Sequence, residues 1–128
     1  MSPKPKYSLK SVGTAIRARR VLFTAESRSI IPVQQVFERL GKPKDQLQTQ
    51  WFILDGIKQL TERHYYQSAI QWDNPELIAD VYGLIYEKLP WYVKFMLTKD
   101  DVLEEISFHP PDRKFKTIGG IWIPKGED

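Results

Sequence analysis

The feature that most constrains this chain is a change of hydrophobic period near Thr61: apolar residues recur at helical spacing before it and alternate after it. Before the change, Leu9, Val12, Ala15 and Ile16 form one stripe to about Arg19, with Lys10, Arg17 and Arg20 on the other side and Ser8 placed to cap the helix. Val21-Leu22-Phe23 reads as a brief strand or an extended link, and Thr24 as the cap of a weak turn. Pro32 suits a first helical position, and Val33, Val36, Phe37 and Leu40 behind it make a second stripe that Gly41 ends. Pro43-Lys44-Asp45 opens a third helix, whose Leu47, Trp51, Leu54, Ile57 and Lys58 lead to Leu60 and are expected to supply the main helical face of the core.

After Thr61, residues 64–72, 77–86, 91–97, 102–109 and 115–123 read as strands from their β-branched and aromatic content. Asp73-Asn74-Pro75 and Glu87-Lys88-Leu89-Pro90 are expected turns, and Thr98-Lys99-Asp100-Asp101 makes the third and fourth strands a hairpin. The expected architecture is α+β: helices over about residues 8–60 packed on one face of an antiparallel sheet over about 63–123. At 128 residues the chain has the size of one domain, taken as 8–128, and the Pro- and Lys-bearing segment 1–7 reads as a mobile arm.

The chain has no cysteine and only two histidines, His64 and His109. Disulfides, thiolate nucleophiles and Cys-ligated zinc are thereby excluded, and without an HExxH or His-x-His spacing neither a metal nor another cofactor is expected. No apolar run approaches the roughly 20 residues of a membrane span, and the first residues lack the apolar segment of a signal peptide, so a cytoplasmic protein without membrane contact is expected. The net charge of +3 is unevenly spread: Lys4, Lys6, Lys10, Arg17, Arg19, Arg20 and Arg28 face only Glu26 in the first 28 residues. Such a basic module attracts phosphates or an acidic partner, or is a solvated helix face.

Alternation sorts the strands into faces. Trp91, Val93, Phe95 and Leu97 share an apolar face, joined by Ile106 and Phe108, so Tyr92, Lys94, Met96, Ser107 and His109 look the other way. A phenol, an ammonium and an imidazole on one surface suit cleavage of RNA by its own 2′-hydroxyl. That reaction needs a base near neutral pKa, a proton donor and a cation for the phosphorane charge. The same residues equally serve as the polar outer face of a half-buried sheet. Of Tyr65 and Tyr66, adjacent in a strand, one belongs to the core; the other, with Arg63, is free to stack on a nucleobase or a partner side chain. Gly119-Gly120, with no Lys-Ser/Thr after it, reads as a bulge or turn. Asp100, Asp101, Glu104 and Glu105 are expected on a solvated hairpin tip, and Asp80 forms no acid/base pair with them.

Leu60-Thr61-Glu62-Arg63-His64-Tyr65-Tyr66-Gln67-Ser68, Asp80-Val81-Tyr82, Trp91-Tyr92-Val93-Lys94 and Ile106-Ser107-Phe108 together resemble the sheet of MqsR-type toxins. Tyr7-Ser8-Leu9-Lys10-Ser11-Val12 and Arg20-Val21-Leu22-Phe23-Thr24 resemble the N-terminus of that family, so the likeness spans about residues 7–109. The resemblance implies a RelE-like fold and an mRNA interferase of a type II toxin–antitoxin module, with mRNA as substrate and a cognate antitoxin protein as partner. The family's penultimate-strand tyrosine falls on Tyr92 and the lysine two positions on falls on Lys94. The lysine of its Tyr-Lys-Ser motif is Gln67 here, its glutamine before Asp-Val-Tyr is Ala79, and its lysine after Ser-Phe is His109.

The expected function is that of a metal-independent endoribonuclease, with His109 as general base or acid, Lys94 and Arg63 on the phosphate charge, and Tyr92 orienting or protonating. Arg63, Tyr65, Gln67, Arg17 and Arg20 are expected to bind RNA. The alternative is a catalytically silent RNA- or protein-binding relative acting through the basic N-terminal helix. A third reading is a small structural protein that shares the shape alone.

Overall fold

The computed structural model describes residues 4–43, 45–71 and 74–126. Residues 1–3 of the arm, Lys44 ahead of the third helix, the Trp72 end of the first long strand and Asp73 of its turn lie outside the described residues.

Ser8 begins helix α1 (Leu9–Arg17), its hydroxyl accepting the Ser11 N–H, and Val12, Ala15 and Ile16 are the residues it buries. The left-handed backbone of Arg19 turns the chain into strand β1 (Val21–Phe23). A 3-10 turn over Glu26–Arg28 leads into α2 (Ile30–Arg39), which buries Val33, Val36 and Phe37 and ends at Gly41, φ +71°. Pro32 is the third residue of that helix, not its first.

Helix α3 (Gln46–Lys58) starts at Asp45, whose carboxylate accepts the Gln48 N–H at 2.9 Å. Its buried line is Thr49, Ile53, Gly56 and Ile57, whereas Leu47 is 62% and Trp51 49% exposed. Of the expected stripe only Ile57 is fully buried, and Thr49, Ile53 and Gly56 take the places given to Leu47, Trp51 and Leu54. Small side chains decide this: a Cβ on Gly56 would stand 2.8 Å from the Phe108 ring, so only a glycine lets the helix approach the sheet there.

The sheet has five strands in the order β1-β5-β4-β3-β2, with β2 (Tyr65–Gln71), β3 (Asn74–Tyr86), β4 (Leu89–Leu97) and β5 (Leu103–His109) forming the expected antiparallel meander. It is mixed, not purely antiparallel, because β1 joins β5 in parallel at its edge. The β3–β4 turn is Glu87-Lys88 alone, both with positive φ, and Leu89 and Pro90 already pair in β4. All three helices supply buried residues to one apolar core with the inner face of the sheet, where Tyr82, Trp91, Val93, Phe95, Leu103 and Phe108 are buried.

Two departures from strict alternation matter most. In β2 the register slips between Tyr65 and Gln67, and in β5 one extra residue, Ile106, lies between the partners of Lys94 and Phe95. Each bulge reverses the phase of its strand. Glu105, expected on a solvated tip, is consequently on the inner face beside Phe95 and fully buried, and Ile106, expected in the core, turns outward.

The expected strand over 115–123 is a separate hairpin, β6 (Phe115–Lys116) with β7 (Trp122–Ile123), closed by a Thr117–Ile121 turn in which Gly120 has φ +84°. It lies on the outer face of the main sheet, with Phe115 and Ile123 against Gly83, where a Cβ would come within 2.5 Å of the phenyl ring. Lys6 and Tyr7, expected in the mobile arm, are fixed by Asp80, whose carboxylate accepts both backbone N–H groups at 3.0 and 2.9 Å and the Ser68 hydroxyl at 2.7 Å. The Tyr7 hydroxyl also donates to the Ile78 carbonyl. No helix of the described residues is long and apolar enough to cross a membrane.

Candidate functional site

The outer face of the sheet carries a row in which Gln67 on β2, Val81 on β3, Lys94 on β4 and Ser107 on β5 stand opposite one another; in the next row Gly83, Tyr92 and His109 are partners. These rows floor a cleft of about 420 Å³ lined by Arg28, Tyr66, Gln67, Tyr92, Lys94, Ile106, Ser107, His109, Asp112, Arg113 and Phe115, among others. The two bulges build it. Each sends two consecutive residues to the same side, Tyr66 with Gln67 and Ile106 with Ser107, which an unbroken strand cannot do.

Tyr92 and His109 stack at 5.1 Å between ring centroids, 21° from parallel. Phe115 closes the wall, 4.5 Å from the Tyr66 ring and 6.2 Å from that of Tyr92. His109 Nδ1 lies 2.8 Å from the Pro110 carbonyl oxygen, which can only accept. The neutral imidazole therefore carries its proton on Nδ1, and the lone pair is left on Nε2.

Lys94, Arg28 and Arg113 bring three cations to the cleft against one carboxylate, Asp112. Among the described residues none of the three cations is held in an ion pair. Burial first, and the Arg28 charge second, lower the pKa of Lys94. Burial raises that of the Tyr92 phenol, against the pull of Arg28 and Arg113, so the phenol stays protonated across the neutral range. A half-buried ammonium with two exposed guanidinium groups, beside a protonated phenol and a free imidazole nitrogen, suits a phosphate ester.

Of the residues picked from the sequence, His109, Tyr92, Lys94 and Gln67 meet here. Tyr65 does not: it is buried in the core, its hydroxyl 2.6 Å from that of Ser68, and Tyr66 takes the place in the cleft because the bulge inverts the pair. Arg63 is outside the cleft; its guanidinium donates to the Gly119 carbonyl and ties down the C-terminal hairpin. Arg17 donates to Thr14 within α1, and Arg20 to the Asp101 carbonyl at the far end of the β4–β5 hairpin, so neither reaches the cleft. Ala79 is buried and does not line it. The sequence reading missed Arg28, Asp112, Arg113 and Phe115 as site residues; the cation cluster Arg113, Lys114 and Lys116 was an available signal for the C-terminal ones, and no local pattern marks Arg28.

Residues 4–110, most of the chain, match the family model of the motility quorum-sensing regulator, toxin of MqsA. The chain belongs to this family. The resemblance read from its strands is thereby borne out, and membership in the MqsR toxin family implies a toxin–antitoxin context with MqsA as the antitoxin type. No individually curated protein matches the sequence. The match contains every residue of the two sheet rows, and it ends before β6 and β7.

Proposed function

We propose that this MqsR-family chain is a toxin that cleaves mRNA as a metal-independent endoribonuclease, on a RelE-like sheet, and that a cognate antitoxin neutralises it. The carrying observation is the meeting of His109, its Nε2 left as the basic nitrogen, with Tyr92 and the cations Lys94 and Arg28 in one cleft.

His109 Nε2 takes the proton of a 2′-hydroxyl, and that oxygen attacks the adjacent phosphorus. Lys94 and Arg28 offset the extra negative charge of the phosphorane. The bond from phosphorus to the 5′ oxygen breaks, and Tyr92 gives that oxygen a proton. The phenol is a weak acid, yet the departing alkoxide is a far stronger base than phenolate, so the transfer runs downhill. The imidazolium returns its proton to the phenolate through solvent. The products are a 2′,3′-cyclic phosphate and a 5′-hydroxyl, and every atom and proton is accounted for. Tyr66 and Phe115 offer aromatic surface to a flanking base, and Gln67 and Ser107 hydrogen-bond capacity.

Induced expression in a bacterial host tests the reading in cells. The parent is expected to arrest growth, and His109→Ala and Tyr92→Phe to relieve the arrest. Unchanged toxicity in both would refute the assigned roles. Relief only on replacing Arg17, Arg19 and Arg20 would favour a silent binding protein acting through α1.

A further inference from the structure

The hairpin β6–β7 lies beyond the matched residues 4–110 and carries an unusual surface. Phe115 and Ile123 are paired and buried against the main sheet, which turns their neighbours Lys116 and Trp122 to the opposite side. Trp122 is 59% exposed. The ammonium groups of Lys114 and Lys116 lie 6.0 and 5.7 Å from its ring centroid, so a large exposed aromatic side chain is held beside two cations.

This surface is rigidly placed beside the cleft. The Ile118 N–H donates to the Tyr65 carbonyl at 2.8 Å and the Gly119 N–H to the Arg63 carbonyl at 3.1 Å, which fastens the hairpin turn to the strand that carries Tyr66 and Gln67. Phe115 belongs to both places: its ring lines the cleft, and its two chain neighbours are the lysines around Trp122. A strand leaving the cleft past Phe115 meets Lys114 and Lys116 next. From residue 111 to the end of the given sequence, Arg113, Lys114, Lys116 and Lys125 stand against Asp112, Glu127 and Asp128, and three of the four cations gather at 113–116, so the occupant that complements that cluster is anionic.

We propose that β6–β7 is a second RNA-contacting surface, on which a base of the strand emerging from the cleft stacks on Trp122 while Lys114 and Lys116 take the flanking phosphates. An aromatic face bracketed by cations is the combination that holds single-stranded nucleic acid without reading its sequence. The proposal rests on the ribonuclease reading of the cleft.

The test uses the full chain and two fluorescent 2′-O-methyl RNAs, which cannot be cleaved by their own 2′ oxygens: one of about four nucleotides and one of about twelve. Anisotropy titrations should show Trp122→Ala weakening the longer RNA at least about fivefold and leaving the shorter unchanged, with Trp122→Phe retaining most of the affinity. Lys114→Ala with Lys116→Ala should weaken the longer RNA and flatten its salt dependence. Equal binding of the longer RNA by parent and Trp122→Ala overturns the proposal, even if binding of an antitoxin changes. So does an equal loss for both lengths, or no binding of either RNA by the parent. Cleavage of unmodified RNA by the parent, measured alongside, reports separately on the ribonuclease reading: a parent that binds through Trp122 and cleaves nothing refutes that reading alone.

Discussion

Glu105 offers the sharpest physical test of the fold that supports the cleft. The β5 bulge places its carboxyl fully inside the core, where Oε2 accepts the Ser29 hydroxyl at 2.8 Å and Oε1 has no partner. Burial, opposed by the Ser29 hydrogen bond, pushes its pKa from 4.5 to about 8. The folded protein therefore holds a proton that the unfolded chain releases above about pH 4.5, and stability from this group falls as pH rises. The loss runs at about 1.4 kcal/mol per pH unit from pH 4.5 and is complete above about pH 8, a total of roughly 5 kcal/mol. Glu105→Gln keeps an acceptor for Ser29 and removes the titration. Urea denaturation at intervals from pH 5 to pH 9 should show the parent losing several kcal/mol while the variant stays nearly flat across this component, becoming the more stable protein above pH 8. Parallel profiles for the two proteins would refute the burial of this carboxyl and, with it, the bulge.

Three further outcomes follow from other parts of the molecule. Gly83→Ala forces a Cβ into the Phe115 and Ile123 side chains, which a real Cβ would approach to 2.5 and 2.6 Å; a loss of about 1–3 kcal/mol in urea denaturation is expected, and an unchanged midpoint would mean that the hairpin does not rest there. Asp80→Ala removes the acceptor for the Lys6 and Tyr7 N–H groups and the Ser68 hydroxyl, so amide exchange at Lys6 and Tyr7 should accelerate strongly and stability fall by about 3 kcal/mol; retained protection of those amides would contradict the tether. Arg28→Ala withdraws a neighbouring charge, so the pKa of Lys94, followed by NMR, should rise toward its ordinary value while RNA affinity drops; an unmoved titration would separate the two cations.

Much of this fold was legible in the residues because local and long-range preferences agree over most of the chain. Ser8 and Asp45 cap helices where their spacing to the following stripes required it, and the faces of β4 were assigned correctly from alternation alone. The errors cluster where backbone geometry breaks a period. Tyr65 and Tyr66 are exchanged, and Glu105 and Ile106 are exchanged, each by one inserted residue that no propensity reports. The α3 stripe was misread because Thr49 and Gly56 count as weak hydrophobic positions, although their small size is what brings the helix onto Phe108 and Tyr86. The site shows the same division. His109, Tyr92 and Lys94 follow from strand parity, whereas Arg28 arrives from a 3-10 turn and Arg113 and Phe115 from a C-terminal segment that folds back over the sheet, and long-range placements of that kind carry no periodic signature.

The measurement that bears most directly on the central claim is the chemistry of the RNA ends. Purified protein is incubated with an end-labelled mRNA fragment in EDTA and without ribosomes, and the products are resolved and their termini identified. The account predicts fragments ending in a 2′,3′-cyclic phosphate and beginning with a 5′-hydroxyl, with the rate falling about 10²–10⁴-fold in His109→Ala. Cleavage at an undiminished rate in that variant, or products carrying 5′-phosphates, would contradict it.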